Sequence, residues 1–295
     1  MNDIATVNPA TSKMNDITTV NPSTSKMIQV KNLTKTFDDF TAVRGFNMNV
    51  VEGSIYGLVG VNGSGKTTVI KHLAGVLPPE EGEIFINGAL IYDNADNKAS
   101  MAYVPDELFF FPRYNLKKMG SFFSEMYKST WDGARFTELV ALLELDPKRQ
   151  IGKFSKGMQK QSALALALST CPKVLLLDEP IDGLDPLVRS RIFKWIIKDV
   201  ADRKMTVLIS SHNLKEMDGI CDTVGIVKGG RMLIEQDLDQ LKAEMLEKNI
   251  SEHSPPTLDE IFIHLYETSG GEHQQINEIS DSASRTQSKE EQNNA

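Results

Sequence analysis

Two kinds of apolar spacing alternate along the chain. From Met27 to Val51 hydrophobic positions recur at Ile28, Val30 and Leu33, and again at Phe46, Met48 and Val50, the spacing of half-buried strands. Ser54–Val59 is a short apolar strand that runs straight into a glycine-rich turn. The period then becomes helical: Val69, Ile70, Leu73 and Val76 predict a helix over Thr67–Leu77, stopped by Pro78-Pro79. Ile84–Ile86, Asn87-Gly88 and Leu90–Tyr92 read as a hairpin with a tight turn, and Met101–Val104 as a further strand.

Between Leu116 and Leu145 the text is helical, carrying Met119, Phe122, Phe123, Met126, Leu139, Leu142 and Leu143. A helix rich in Ala and Leu (Ser162–Ser169) precedes a buried strand, Val174–Leu177. Pro186–Val200 reads as a helix, Thr206–Ser210 as a strand, Gly229-Gly230 as the turn of a last hairpin, and Asp237–Leu246 as a helix. Thr257–Tyr266 predicts a short helix beyond the core. This alternation of strands and helices argues for an α/β core with a parallel sheet. At the start, Met1–Lys13 (MNDIATVNPATSK) is repeated almost unchanged as Met14–Lys26 (MNDITTVNPSTSK), with the polar content of a flexible leader. Met27 is the expected start of the folded part. From Thr268 the composition turns to Gly, Gln, Asn, Ser and Glu, and no structure is expected there.

Composition narrows the partners. The 295 residues carry 32 Lys and Arg against 40 Asp and Glu, a net charge of −8. Such a chain has no bulk attraction for phosphate backbones, so no nucleic-acid partner is expected, although a local pocket can still hold one nucleotide. Cys171 and Cys221 have neither metal spacing nor a disulfide pattern and read as reduced, partly buried side chains of a cytosolic protein. No apolar run approaches the roughly 20 residues needed to span a bilayer. If the protein serves a membrane, another chain must cross it.

Two motifs carry chemistry. Gly60-Val61-Asn62-Gly63-Ser64-Gly65-Lys66-Thr67 is a full G-x-x-x-x-G-K-[ST] phosphate loop, placed between a strand and a helix. Its glycines let backbone N–H groups curl around phosphate oxygens, and the following helix points its positive end at the same phosphates. Lys66 supplies a cation for the terminal phosphates, and the Thr67 hydroxyl suits Mg²⁺. The second motif is Asp178-Glu179 at the C-terminal end of buried strand text, where ligands of open α/β sheets bind. One acid there can hold Mg²⁺, and the other can orient or deprotonate an attacking water.

With these two placed, the sequence resembles an ATP-binding-cassette ATPase, the nucleotide-hydrolysing subunit of an ABC transporter. Four further stretches carry the resemblance. Phe154-Ser155-Lys156-Gly157-Met158 resembles the family signature L-S-G-G-Q, Gly183-Leu184-Asp185-Pro186 its D-loop, and Ser210-Ser211-His212 its switch histidine. Phe37 stands where the family stacks an aromatic on adenine, with neighbouring Phe40 as the alternative. The resemblance implies a P-loop NTPase core with a parallel sheet, an antiparallel β subdomain, and a helical subdomain at about 107–160. The cassette would span 27–246, with a short extension at 247–267 and a tail at 268–295. It also implies two cassettes facing head to tail with ATP between them. The 60–68 loop, through Thr68, would bind phosphate, while Ser155 and Gly157 contact the γ-phosphate held by the other copy. Glu179 would be the general base, His212 would touch the γ-phosphate, and Asp185 would link the two sites. ATP and Mg²⁺ are the implied cofactors. The implied partners are a second cassette and an integral membrane permease, which would hold the protein on the cytoplasmic face of the plasma membrane. Ser155 also reads as a helix N-cap, and Asp185-Pro186 as an ordinary helix start.

The sequence departs from that pattern in two places. Asp106, in Tyr103-Val104-Pro105-Asp106-Glu107, occupies the position of a glutamine that the family brings to the metal. A carboxylate near a triphosphate repels it unless Mg²⁺ lies between, so Asp106 is expected either to work through the metal or to withdraw and shape the loop. The signature carries Lys156 and Met158 for the usual Gly and Gln, a form that resembles ABC-2 exporter cassettes, as does Thr257-Leu258-Asp259-Glu260-Ile261-Phe262. The short interval between Lys66 and Ser155 leaves no room for the coiled coils of DNA-maintenance relatives, and translation relatives carry two cassettes where this chain has one. The aromatics Phe109, Phe110, Phe111, Tyr114, Phe122 and Phe123 read either as core or as a surface for the permease. Three consecutive aromatics cannot all face inward from one element.

Overall fold

The computed structural model describes residues 25–92, 94–248, 250 and 255–269. Most of the repeated leader and nearly all of the tail therefore lie outside the described residues. Two sheets form the frame. The first is antiparallel, built from β1 (Lys26–Phe37), β2 (Phe40–Val51), β4 (Glu81–Ile86) and β5 (Ala89–Leu90) in the order β2-β1-β4-β5. The second contains β3 (Ile55–Val59), β6 (Met101–Val104), β7 (Val174–Asp178), β8 (Thr206–Ser211), β9 (Thr223–Lys228) and β10 (Arg231–Asp237), in the order β10-β9-β3-β8-β7-β6. All its neighbours are parallel except β10, which returns antiparallel on β9 through Gly229-Gly230.

The central strands read as unbroken apolar runs because both faces are covered. Alternate residues of β7 feed two different cores. Val174 and Leu176 join Tyr56, Leu58, Leu208 and the helix α1 (Lys66–Leu73) beneath the antiparallel sheet. Leu175 and Leu177 join Val207, Ile209 and the helices of the other face. Those helices are α3 (Leu116–Met126), α4 (Gly133–Leu142), α5 (Lys156–Ser169), α6 (Pro186–Arg203), α7 (Leu214–Met217) and α8 (Leu238–Glu247). Side-chain caps fix several starts: Asn115 accepts from Lys118 N, Asp132 from Arg135 N and Asp237 from Gln240 N. A last helix covers 258–269 and buries Leu258 and Ile261.

Several elements differ from the sequence-based expectation: the hairpin strand expected at Leu90–Tyr92 is Ala89–Leu90, the last helix runs on to 269, and two differences concern whole helices. The helix expected to reach Leu77 ends at Leu73, and Val76 is exposed. Gly75 adopts φ +64°, and Val76 N and Leu77 N both turn back to Lys71 O. A left-handed glycine, not Pro78-Pro79, stops the helix. The short helix α2 (Ala95–Ala99) was not expected, having no apolar stripe. It is held by polar contacts instead, with buried Asn97 donating its amide to Ile86 O and Ala89 O. The Asn87-Gly88 turn has positive φ at both residues (50° and 74°), as a two-residue hairpin loop requires. Both cysteines are free. Among the described residues, no helix is long and apolar enough to cross a membrane.

Candidate active site

Chain order places the site. The strands β3, β7 and β8 are adjacent and parallel, so the turns after them open on one edge of the sheet. From β3 the chain enters the 60–65 loop and then α1. Gly60 has to be glycine here: an added Cβ would lie 2.6 Å from both Ser64 Oγ and Val227 O. Gly65 has φ +107°, and its added Cβ would lie 2.7 Å from Ala42 O. The helix start it caps has no side-chain cap, and Ser64 Oγ is buried without a partner. Uncapped amides at a helix N-terminus suit an anion. Asn62, Gly63 and Thr67 are exposed on this loop, with Thr68 half-buried behind them.

Lys66 is buried and folds back over the loop. Its Nζ donates to Gly60 O at 2.8 Å and Val61 O at 3.3 Å, and lies 3.5 Å from Glu179 Oε1. The register of β7 on β8 pairs Asp178 with Ser210. Ser210 Oγ donates to Asp178 Oδ1 at 2.6 Å, and Thr67 Oγ1 donates to the same oxygen at 3.2 Å. Asp178 Oδ2 is buried with no hydrogen-bond partner. An ionised oxygen left unmatched inside a protein is costly unless a cation or a metal-bound water completes it, so the Thr67–Asp178 pair fits Mg²⁺.

Glu179 is the strained residue of the site. Its φ is +45°, in the left-handed region that costs a side-chain-bearing residue about 1–3 kcal/mol and persists only where the surroundings over-determine it. Here its N–H donates to Ser210 Oγ at 3.1 Å, and its carbonyl accepts from Lys160 Nζ at 2.7 Å. The conformation points the carboxylate between Lys66 and His212. His212 Nδ1 lies 3.0 Å from Glu179 Oε2, which also accepts from His212 N at 3.3 Å, and Asp182 Oδ2 is 3.9 Å from the same ring nitrogen. An exposed histidine thus holds the second oxygen of a nearly buried carboxylate. Beside the site, burial and the nearby acids Asp178 and Asp106 push the Tyr103 phenol well above its usual range.

The remaining expected residues fall in three groups. Ser155 and Asp185 are exposed and act as helix caps, Ser155 Oγ accepting from Met158 N and Asp185 Oδ1 from Leu187 N and Val188 N. Gly157 is where α5 meets the 183–184 turn: an added Cβ would lie 2.7 Å from Gly183 O. Phe37 and Phe40 face each other across the β1–β2 turn and are both exposed, with Lys35 Nζ 5.3 Å from the Phe37 ring. Asp106, expected as a metal-linked acid or as a shaper of its loop, is taken by Lys160, whose Nζ lies 3.0 Å from Asp106 Oδ1. The structure gives Asp106 a cation on α5 as its partner.

Lys160, Ser210 and Asp182 were not anticipated. Only Lys160 left a usable signal: it extends the buried stripe of Leu164 and Leu168 by one helical turn, a position where a lysine needs partners. The aromatic run divides as its spacing requires. Phe109 is 80% exposed and Phe110 packs on the core, while Phe111 sits edge-on to Phe122. Together with Tyr103, Pro105 and Phe123 they line an apolar groove of about 300 Å³.

The chain matches known proteins in sequence and in fold. A family described as ABC transporter matches residues 43–182. The bacitracin transport ATP-binding protein BcrA of Bacillus licheniformis is 35% identical over 223 residues, covering 73% of this chain and 71% of that protein. The lantibiotic transport ATP-binding protein SrtF of Streptococcus pyogenes is 30% identical over 231 residues, covering 72% of this chain and 91% of that one. Among solved structures, an ATP-binding subunit of an ABC transporter superposes with a TM-score of 0.72 at 25% identity, covering 81% of this chain and 99% of that one.

Proposed function

The chain belongs to the ABC transporter family as an ATP-binding, ATP-hydrolysing subunit, and from that premise we propose that it drives a separate exporter permease by closing and opening a cassette dimer around ATP. The observation that carries this reading is the meeting of Lys66, Thr67, Asp178, Glu179 and His212 at the ends of three adjacent parallel strands.

In the proposed mechanism, backbone N–H groups of residues 60–68 receive the phosphates, and Lys66 exchanges its loop carbonyls for phosphate oxygens. Thr67 and Asp178 would hold the Mg²⁺ brought with the nucleotide, which would supply neutralising charge at the phosphates. Glu179 accepts a proton from the water whose oxygen attacks the γ-phosphorus, and the bond to the ADP oxygen breaks, leaving ADP and phosphate. His212 holds Glu179 through Oε2 and faces the γ-phosphate. Phe37 stacks on adenine. Ser155 and Gly157 of the second cassette reach the γ-phosphate across a two-fold interface that Asp185 joins, so neither site is complete alone. Asp106 Oδ1 is paired with Lys160, and this reading assigns the residue to the loop.

The cassette body is 27–246 with its helical subdomain at about 107–160, followed by the 247–267 extension. The groove beside Phe109–Phe111 is the docking surface for the permease, which keeps the protein peripheral on the cytoplasmic face of the plasma membrane. The names of the relatives point to antimicrobial peptides as cargo. Glu179→Gln is expected to lower ATP turnover at least 100-fold while Mg-ATP binding persists, and Lys66→Ala to lose binding. Unchanged turnover in Glu179→Gln refutes the assignment of the base. Co-purification with a hydrophobic integral membrane protein, weakened by Phe109→Asp at the exposed end of the run, tests the partner.

A further inference from the structure

Lys160 stands on a stripe of α5 that is otherwise core, with Leu164 and Leu168 on its next turns. Its side chain is only 11% exposed. A buried ammonium persists where acceptors replace its water, and two do so here. One is Asp106 Oδ1 at 3.0 Å, on the loop after β6, and the other is Glu179 O at 2.7 Å. The second contact is to the backbone of Glu179, a side-chain-bearing site residue in a left-handed conformation. The amide on the other side of Glu179 is tethered to Ser210. Ser210 thus holds Glu179 from within the sheet, while Lys160 holds it from the helical side. Asp106 is more than half exposed and sits beside Pro105 and Leu108 of the aromatic groove, so the loop that fixes Lys160 also forms the groove wall.

We propose that Lys160 is a positioning residue for ATP hydrolysis, tying the groove loop through Asp106 to the backbone of Glu179 and so keeping the general base aimed at its water. This rests on the assignment of Glu179 made above. Lys160 touches neither nucleotide nor water in this scheme and acts only through Glu179. Its loss therefore lowers the rate of the chemical step and leaves ATP binding alone. A displaced loop would slacken the same tie.

The test is a double-mutant cycle on the full chain, read by steady-state ATPase kinetics. Lys160→Met is expected to lower kcat about tenfold with KM for ATP within about twofold, since small misplacement of a reacting group costs rate and not affinity. In a Glu179→Gln background the same change is expected to leave the residual rate unaltered, because the base it positions is gone. Asp106→Asn keeps the contact to Glu179 O and is expected to fall between parent and Lys160→Met. If Lys160→Met does not fold, Lys160→Gln, which retains a donor, carries the same cycle with a smaller loss. An unchanged kcat overturns the proposal. So does an equal loss in both backgrounds, which is the signature of a merely structural lysine. A parent chain without ATPase activity would instead refute the functional assignment itself.

Discussion

Ser210→Ala isolates the contact that joins the two acids of the site. Ser210 is fully buried, and its hydroxyl both donates to Asp178 Oδ1 at 2.6 Å and accepts from Glu179 N. Removing it leaves Asp178, itself 1% exposed, with Thr67 Oγ1 at 3.2 Å as its remaining hydrogen-bond donor. A hydrogen bond to a charged group contributes about 1.5–3 kcal/mol. Glu179 N keeps Ser210 O at 3.3 Å, so its loss is partial. The expected destabilisation is about 2 kcal/mol, or roughly 4–8 °C in Tm for a domain of this size. Ser211→Ala is the internal control. Ser211 is equally buried, but its hydroxyl accepts only from the neutral Asn213 N, so its loss is expected to cost about 1 kcal/mol. Urea unfolding of parent and both variants, with and without Mg-ATP, gives the comparison. A loss in Ser210→Ala no larger than in Ser211→Ala refutes the claim that this hydroxyl stabilises a buried carboxylate. Turnover is expected to fall in Ser210→Ala and not in Ser211→Ala, because only the former touches both acids.

Three further outcomes are expected. Gly157→Ala forces a Cβ to within 2.7 Å of the Gly183 carbonyl, a backbone atom that must move, and is expected to cost about 1–3 kcal/mol in urea unfolding; an unchanged midpoint would show that the start of α5 and the 183–184 turn part freely. Burial holds the His72 imidazole below its ordinary range, with Lys35 also opposing the proton and the Thr68 carbonyl and Glu80 favouring it. The unfolded chain takes up that proton as pH falls through about 6.5 and the folded chain resists, so the contribution is fully present above that pH and is lost below it, by at most about 1.4 kcal/mol per pH unit. His72→Gln should flatten the stability profile between pH 7 and 5, and an unaltered slope would refute the assignment. Tyr266 OH donates to Val227 O at 2.6 Å, pinning the 258–269 helix beside the phosphate loop, since Val227 O also confronts Gly60. Tyr266→Phe is expected to lose about 1 kcal/mol of local stability, seen as faster amide exchange in that helix; unchanged exchange would mean that buried Leu258 and Ile261 and the Lys228 contacts to Tyr266 O and Ser269 Oγ suffice to anchor it.

The sequence by itself determined the strands, most of the helices and the class of chemistry. A G-x-x-x-x-G-K-[ST] loop behind an apolar strand and two acids ending another are local patterns, and local patterns follow from backbone sterics and side-chain period. Where the text misled, the competing signal was also local: Gly75 ends α1 before the prolines do. The tertiary structure decided what no period encodes. That Asp178 meets Ser210 depends on β7 lying beside β8 in a particular register, and that Lys160 reaches both Asp106 and Glu179 depends on how α5 packs over the sheet. Such contacts join residues far apart in the chain, and burying the two apolar faces of the central sheet selects them. The same burial gives Lys160 its part: a charge acquires a role only when the fold removes its water.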